Sequence, residues 1–266
     1  MSERLDAAVA ARGLARSRTH AAQLIAAGLV SVDGQPVVKA SARVGEDAAL
    51  SVAASDHYVS RAAHKLIAAL DAFAVDVRGR TALDMGASTG GFTQVLRERG
   101  AEPVIAVDVG HGQLAAPVAA DPVVRSVEGF NVRYMTREGL AAAAGVDAAP
   151  SVVTGDLSFI SLAHVLPAVA GVAAPDADIV LLIKPQFEVG RTGVREGLVK
   201  NAGLRADAVA GVLWAAWDAG LGTRGLISSP IAGTHGNAEY LVHLRPGADA
   251  NPTEWLSTVN RLAEIE

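Results

Sequence analysis

Apolar segments typical of strands alternate with helical segments along most of this chain, and that alternation limits the fold more than any other feature. Apolar runs bounded by turn residues predict strands at Thr81–Met85, Val104–Val109, Val152–Gly155 and Ile179–Ile183. Helical stretches lie between them, so we predict an α/β fold with a parallel sheet and crossover helices on both faces. Ligands bind beyond the carboxyl ends of the strands in such sheets, so motifs located there carry the most functional weight.

Composition excludes several classes of protein. Apolar residues make up 50% of the 266 and charged residues 19%, which is typical of a globular chain with a core and not of a disordered one. Cysteine is absent, which excludes thiol nucleophiles, disulfides and cysteine-ligated metals. No apolar run reaches the roughly 18 residues of a membrane helix, and no signal peptide is recognisable. We expect a cytoplasmic protein with no membrane partner.

The net charge of −5 is unevenly distributed. Residues 1–43 carry a net charge of +3, so the remainder carries −8. A basic segment on an acidic body is expected where one small module contacts phosphate, although a solvated basic face would give the same balance.

The basic segment has the pattern of a small helical module with a hairpin. Apolar residues at helical spacing predict two helices, the second beginning at Ser17, a good N-cap, and ending at Gly28. The segment Leu29–Val38 alternates around Asp33-Gly34, a dipeptide typical of a tight turn. We predict a first domain, a linker and a second domain at residues 1–56, 57–60 and 61–266.

A glycine-rich loop follows the first predicted strand, which carries Asp84 near its end. Glycine lets a backbone approach a ligand closely, so a cofactor loop is favoured over a structural turn. A dehydrogenase presents Gly-x-Gly-x-x-Gly to a pyrophosphate, whereas this loop reads Asp-x-Gly-x-x-x-Gly-Gly, and an acidic strand end suits the cationic S-adenosylmethionine. The candidate cofactor residues of the loop, which runs into a helix predicted at Phe92–Glu98, are Gly86, Ser88, Gly90, Gly91 and Phe92.

Other strand ends also carry polar or charged residues. Asp108 ends the second strand, where a carboxylate can accept both hydroxyls of a nucleoside ribose, as in NAD sites, or cap a helix. Asn131 follows the third strand and is a candidate for contact with an adenine. Asp156 and Lys184 follow strands with buried patterns, so their charges must form an internal ion pair or take part in chemistry.

The N-terminal module resembles the S4 RNA-binding domain. The resemblance lies in Arg4–Asp6, Gly13–Arg18, Ala22–Ile25 and Gly28–Gly34. S4 domains bind structured RNA through basic residues on the helix pair, although a single arginine is often only a solvated surface residue. The resemblance implies phosphate contacts for Arg4, Arg12, Arg16, Arg18 and Lys39.

Nearly the whole chain resembles the TlyA family, which joins an S4 domain to an FtsJ-like methyltransferase domain of Rossmann-like fold. The resemblance implies transfer of a methyl group from S-adenosylmethionine to the ribose 2′-hydroxyl of cytidine in 16S or 23S ribosomal RNA, or in both. It also implies ribosomal subunits as partners, and we expect a monomer. The motifs that carry the resemblance are Ser60–Leu66, Asp84–Thr93, Ala106–Leu114, Gly155–Leu162, Ile183–Gly190 and Gly236–Tyr240.

FtsJ-like enzymes use a Lys-Asp-Lys-Glu set, which the resemblance places at Lys65, Asp156, Lys184 and Glu239. A ribose hydroxyl is a poor nucleophile, so it must be aligned with the methyl donor and lose its proton as it attacks. We predict that Lys184 is the base, with its neutral form favoured by burial and by the cation of Lys65. Asp156 is expected to orient Lys184 and face the sulfonium, and Glu239 to hold Lys65 or the hydroxyl.

Three alternatives compete with this interpretation. They are a dehydrogenase, a membrane-acting haemolysin, which is a name some family members carry, and an S4-containing RNA-binding protein without catalysis. The loop pattern opposes the first, the lack of a spanning or basic amphipathic helix opposes the second, and the filled catalytic positions oppose the third.

Two phenylalanines lie beside strand ends. Phe159 and Phe187 either stack on an extruded base or belong to the core. No histidine or acidic cluster has the spacing of metal ligands, so we predict no metal site.

Overall fold

Two units make up the structure, Met1–Arg61 and Ala62–Glu266. It is a computed structural model, and the predicted linker at 57–60 stays a prediction. The described residues are 2–15, 17–26, 28–52, 57–190, 193–194, 197–233, 236–247 and 251–264.

The first unit combines two helices with short strands. The Oγ of Ser17 accepts a hydrogen bond from the N–H of His20 at 3.1 Å, as predicted for an N-cap. Asp33 and Gly34 have positive φ values of 50° and 80°, which a tight hairpin turn requires, and the strands on either side of them pair. The elements are β1 (Ser2–Arg4), α1 (Leu5–Ala11), α2 (Arg18–Ala26), β2 (Val30–Val32), β3 (Gln35–Pro36), β4 (Arg43–Gly45) and β5 (Leu50–Val52).

The second unit is built on a seven-stranded sheet. Its strands are β6 (Ala82–Met85), β7 (Val104–Asp108), β8 (Val124–Glu128), β9 (Val152–Gly155), β10 (Asp178–Ile183), β11 (Leu221–Ser228) and β12 (Tyr240–Pro246). Their order is β11-β12-β10-β9-β6-β7-β8. The strands β6 to β10 are parallel, and β12 runs antiparallel to both of its neighbours. The α/β prediction is therefore confirmed, and the four predicted strands agree with the structure to within one residue at each end.

Helices cover the sheet, and every residue of β6, β9 and β10 is buried. Strands covered on both faces read as continuous apolar runs, which explains why their patterns were recognisable. The parallel order brings the carboxyl ends of β6, β7, β9 and β10 to one edge of the sheet. The helices are α3 (Ala63–Ala72), α4 (Gly91–Glu98), α5 (Ala116–Ala119), α6 (Arg137–Ala144), α7 (Leu166–Val172), α8 (Pro185–Glu188), α9 (Ala202–Asp218) and α10 (Leu256–Ala263).

Candidate active site

Four charged side chains meet at this edge of the sheet, and we name them the lysine–carboxylate cluster: Lys65, Asp156, Lys184 and Glu239. The Nζ of Lys65 donates a hydrogen bond to Oε2 of Glu239 at 2.7 Å and lies 3.5 Å from Oδ2 of Asp156. The Nζ of Lys184 forms an ion pair with Oδ1 of Asp156 at 2.6 Å. The fold thus brings together all four residues that the resemblance implied.

The cluster is buried and electrically balanced. Lys65, Lys184 and Glu239 are 6%, 9% and 4% exposed, and two ammonium groups face two carboxylates. Burial raises the pKa of Asp156, but the positive charges of Lys65 and Lys184 outweigh it and lower that pKa below its ordinary value. Each charged group has an oppositely charged partner within the cluster, so removing one member leaves a buried charge without its partner.

A cavity of about 450 Å³ opens beside the cluster at the ends of β6, β7 and β9. Of the predicted cofactor residues it is lined by Gly86, Ser88, Asp108 and Asn131, and Asp156 also reaches it. Sequence reasoning missed several other lining residues because their side chains carry no distinctive chemistry. These include Val107, Val132, Leu157 and Ile160.

Asp108 organises one wall of this cavity. Its Oδ2 accepts a hydrogen bond from the N–H of Ser88 at 2.8 Å, and its Oδ1 accepts one from the N–H of Gly110 at 2.7 Å. The carboxylate therefore joins the loop after β6 to the loop after β7. Each oxygen keeps a further lone pair that can accept a hydroxyl of a bound ligand.

Asp84 lies below the glycine-rich loop and is not among the residues that line the cavity. It is 1% exposed, and its carboxylate accepts hydrogen bonds from Thr93 Oγ1 at 2.6 Å and Thr154 Oγ1 at 3.2 Å. Burial raises its pKa to about 7. Its hydrogen bonds thus join β6 to Thr93 of α4 and to Thr154 of β9.

Glycine is required at two positions of the loop. Gly86 has a φ of +75°, and a Cβ there would lie 3.0 Å from Leu157 Cδ2 and 3.2 Å from the carbonyl oxygen of Asp156. Gly90 has a φ of +97° and is the N-cap of α4, and a Cβ there would lie 2.8 Å from Leu114 Cδ1. Gly91 and Phe92 are buried in the first turn of α4, so they support the loop from below.

A smaller cavity, of about 290 Å³, also adjoins the cluster. Lys184 and Glu239 line it, together with Phe159 and Phe187, whose ring centroids are 5.3 Å apart. Phe159 is 92% exposed, so the core alternative for this residue is wrong. Phe187 is half-buried.

The basic residues of the first unit divide into different environments. Arg4 and Arg18 both contact Asp6, at 2.9 and 3.3 Å, and the Arg4 guanidinium holds the pKa of Asp6 well below its usual range. Arg12 donates hydrogen bonds to carbonyl oxygens in the segment 45–48, and Lys39 is exposed. The predicted RNA contact at Arg16 lies outside the described residues.

Comparison with known proteins places the chain in a family. Residues 58–246 match the model of the FtsJ-like methyltransferases, and residues 3–50 match that of the S4 domain. The chain is 49% identical over 249 residues to the Mycobacterium tuberculosis protein named 16S/23S rRNA (cytidine-2′-O)-methyltransferase TlyA, covering 92% of this chain and 91% of that protein. The chain belongs to the TlyA family of FtsJ-like methyltransferases.

The TlyA family carries two kinds of names. Hemolysin A of Brachyspira hyodysenteriae is 37% identical, covering 90% of this chain and 98% of that protein. A solved Streptococcus thermophilus structure, named only provisionally as a hemolysin, is 36% identical with a TM-score of 0.75, covering 98% of this chain and 95% of that one. Within the described part of this TlyA-family chain, no helix has the length and apolar character needed to cross a membrane, and no three potential metal ligands cluster.

Proposed function

We propose that this protein transfers the methyl group of S-adenosylmethionine to the ribose 2′-hydroxyl of cytidine in ribosomal RNA. The observation that carries the proposal is the position of the lysine–carboxylate cluster between two adjoining cavities. Asp156 lines the larger cavity, Lys184 and Glu239 line the smaller one, and Ser158 and Phe159 line both. A group transferred between ligands in the two cavities would therefore move beside this cluster.

The larger cavity suits S-adenosylmethionine, a nucleoside that carries positive charge and no phosphate. Among the residues described for its lining, there are two carboxylates, Asp108 and Asp156, and no lysine or arginine. Asp108 would hold the ribose hydroxyls, and Asn131 would border the adenine. A pyrophosphate would favour basic groups or a helix N-terminus instead, so this lining argues against a dinucleotide.

The smaller cavity suits a nucleoside of the RNA. Its two phenylalanines offer ring faces to a base, and stacking of this kind is how proteins hold bases taken out of a helix. An exposed phenylalanine gains little from the fold itself, and the exposure of Phe159 is explained if a base covers its ring.

When bound, S-adenosylmethionine supplies an electrophilic methyl group on a sulfonium. We assign the proton transfer to Lys184. Its ammonium must first lose a proton to solvent, and the neutral amine would then accept the 2′-hydroxyl proton as the oxygen bonds to the methyl carbon and the carbon–sulfur bond breaks to leave a neutral thioether. The ammonium that results lies beside the carboxylate of Asp156, which stabilises it. Lys65, held by Glu239, would donate to the hydroxyl oxygen and fix its approach.

The experiment is transfer of labelled methyl from S-adenosylmethionine to separated small and large ribosomal subunits by the full chain. We expect label in RNA, recovered after digestion as 2′-O-methylcytidine, on one subunit or both. Lys184→Ala should abolish transfer while cofactor binding persists. Arg125→Ala, at an exposed residue of β8 that lies outside the cluster and outside the described linings of both cavities, is the control and should retain wild-type activity.

Two results would contradict the proposal at different levels. Absence of label from both subunits, despite measured cofactor binding, would support the alternative of an RNA-binding protein without this activity. Undiminished transfer by Lys184→Ala would reject the base assignment but leave the reaction standing.

A further inference from the structure

The loop of residues 156–161, which we name the 156–161 loop, is held at its beginning by Lys184. The Nζ of Lys184 donates a hydrogen bond to Ser158 Oγ at 2.8 Å and contacts Asp156 Oδ1 at 2.6 Å. These contacts belong to the proposed catalytic machinery, and they fix the first half of the loop.

The end of the same loop is held by Glu188, one helical turn after Lys184 on the segment that forms α8. Its Oε2 accepts a hydrogen bond from Ser161 Oγ at 2.5 Å, and its Oε1 accepts one from the N–H of Leu162 at 2.9 Å. Glu188 is half-buried and is not among the described lining residues of either cavity. It therefore contacts the loop and not a ligand, and the mechanism proposed above does not use it.

Phe159 lies between these two attachments in an unusual conformation. Its φ is +65°, a left-handed value that bulky L residues rarely adopt, and its side chain is 92% exposed. Because the side chain is not buried, packing does not offset the energetic cost of this backbone conformation, and the contacts on either side must maintain it. Strained residues of this kind persist when the surrounding structure over-determines them.

We propose that Glu188 is a positioning residue for methyl transfer, which holds Ser161 and Leu162 so that Phe159 keeps its left-handed turn beside Phe187 at the smaller cavity. The inference rests on the proposed function, because an RNA base is the ligand that the Phe159 ring would meet. Glu188 itself touches no reacting group.

The contacts also indicate which substitutions are informative. A glutamine at position 188 retains both hydrogen bonds, because its carbonyl oxygen can accept from Leu162 and its amide can donate to Ser161 Oγ. Alanine removes both. Ser161→Ala removes one of them, together with the hydrogen bond that Ser161 Oγ accepts from the N–H of Ala163, and leaves Glu188 in place.

The test compares Glu188→Ala, Glu188→Gln and Ser161→Ala in the full chain, with kcat and KM for ribosomal subunits and Kd for S-adenosylmethionine. The size of the effect follows from the stacking of one base on an aromatic ring, which is the contact that would be lost. We therefore expect Glu188→Ala to lower kcat/KM for RNA by at least roughly fivefold. The Kd for the cofactor should stay within about twofold, and Glu188→Gln should restore most of the activity.

A second comparison tests whether Glu188 acts through Phe159. In a Phe159→Ala background, Glu188→Ala should change kcat/KM by less than about twofold, because the group it positions is gone. The midpoint of thermal unfolding is also measured for each variant. If Glu188→Ala lowers the midpoint, Ser161→Ala provides the same comparison with a smaller disturbance.

Three results would overturn the inference while the wild-type protein is active. They are wild-type kcat/KM for Glu188→Ala, equal damage by alanine and glutamine, and an equal loss in the Phe159→Ala background. An inactive wild-type protein would overturn the proposed function, and this inference with it, so the two failures are distinguishable.

Discussion

The carboxylate of Asp156 lies 2.6 Å from Nζ of Lys184. Its second oxygen lies 3.5 Å from Nζ of Lys65, so one side chain carries the counter-charge for both lysines of the site. Glu239 contacts only Lys65 within the cluster, at 2.7 Å. Asp156 is therefore the member whose loss unbalances the cluster most.

Asp156→Asn should abolish most of the activity with a detectable loss of stability. The neutral amide has the same shape but leaves two buried ammonium groups against one carboxylate, and breaking a buried ion pair costs about 3 kcal/mol. We expect kcat to fall by roughly 100-fold or more, because Lys184 loses its orientation and its counter-charge. Single-turnover methyl transfer and thermal unfolding measure the two effects.

The matched control is Asp147→Asn, which removes a carboxylate at an exposed position and should leave both rate and stability unchanged. A rate for Asp156→Asn above half of the wild-type value would show that the cluster does not need this charge.

Asp84 should make the stability of the protein depend on pH. Its folded-state pKa of about 7 lies above the ordinary value of 3.8, so the native state binds the proton more tightly than the unfolded chain does. The stabilisation is fully present below the ordinary value and is lost as pH rises through about 7. Asp84→Asn removes this dependence. Between about pH 5 and pH 7, the free energy of unfolding of the variant should therefore increase relative to that of wild type by a few kcal/mol in total, on the order of 1 kcal/mol for each pH unit.

Thermal unfolding of both proteins across that pH range measures the difference. Parallel curves for wild type and Asp84→Asn would contradict the prediction. If the main role of Asp84 is instead to bind the cofactor cation, Asp84→Asn should bind the cofactor more weakly than wild type at every pH.

Asp108→Asn should show the complementary behaviour. Its carboxylate lines the larger cavity, so we expect affinity for S-adenosylmethionine to fall by roughly tenfold, the value of a charge-assisted hydrogen bond. The pH dependence of stability should remain that of the wild type, since Asp84 is untouched. Calorimetric titration with the cofactor measures the affinity, and Glu98→Gln, on the far end of α4, serves as the control. Unchanged affinity would remove Asp108 from the cofactor site.

The chain pattern was sufficient for four of the seven strands of the main sheet and for the hairpin of the first unit, because these depend on local periodicity and turn chemistry. It did not predict the bounds of β11 and β12 or the antiparallel direction of β12. It was insufficient for the cluster. Lys65 and Glu239 are 174 residues apart in sequence, and only the packing of α3 against the sheet end brings them within 2.7 Å. The family resemblance supplied these positions, and spacing alone could not.

The pattern also could not tell which way a strand-end side chain points. Asp84 and Asp108 both lie near the ends of neighbouring strands, but Asp84 pairs with Ala106, two residues before Asp108. Asp84 is 1% exposed, whereas Asp108 lines the cavity. The register of the sheet sets how far along its strand each residue lies, and the chain pattern does not report register. The exposure of Phe159 depends on a single left-handed φ, which periodicity does not report.

The arginines of the first unit should separate into structural and RNA-contacting residues. Arg12 donates hydrogen bonds to carbonyl oxygens in the segment 45–48, so Arg12→Ala should destabilise this unit by about 1 kcal/mol. Arg18 and Lys39 are exposed, so their substitution by alanine should weaken RNA binding. If each contacts a phosphate, the slope of log affinity against log salt concentration should fall by roughly one for each residue removed.

Binding of ribosomal RNA at several salt concentrations and thermal unfolding of the same variants separate the two effects. Arg125→Ala, at an exposed arginine of β8 outside this unit, is the control and should alter neither property of the unit. An unchanged salt slope in the double variant of Arg18 and Lys39 would remove both from the RNA-contacting surface. A normal melting profile for Arg12→Ala together with a reduced slope would move Arg12 onto that surface, because a guanidinium that is dispensable for folding has its charge available for phosphate.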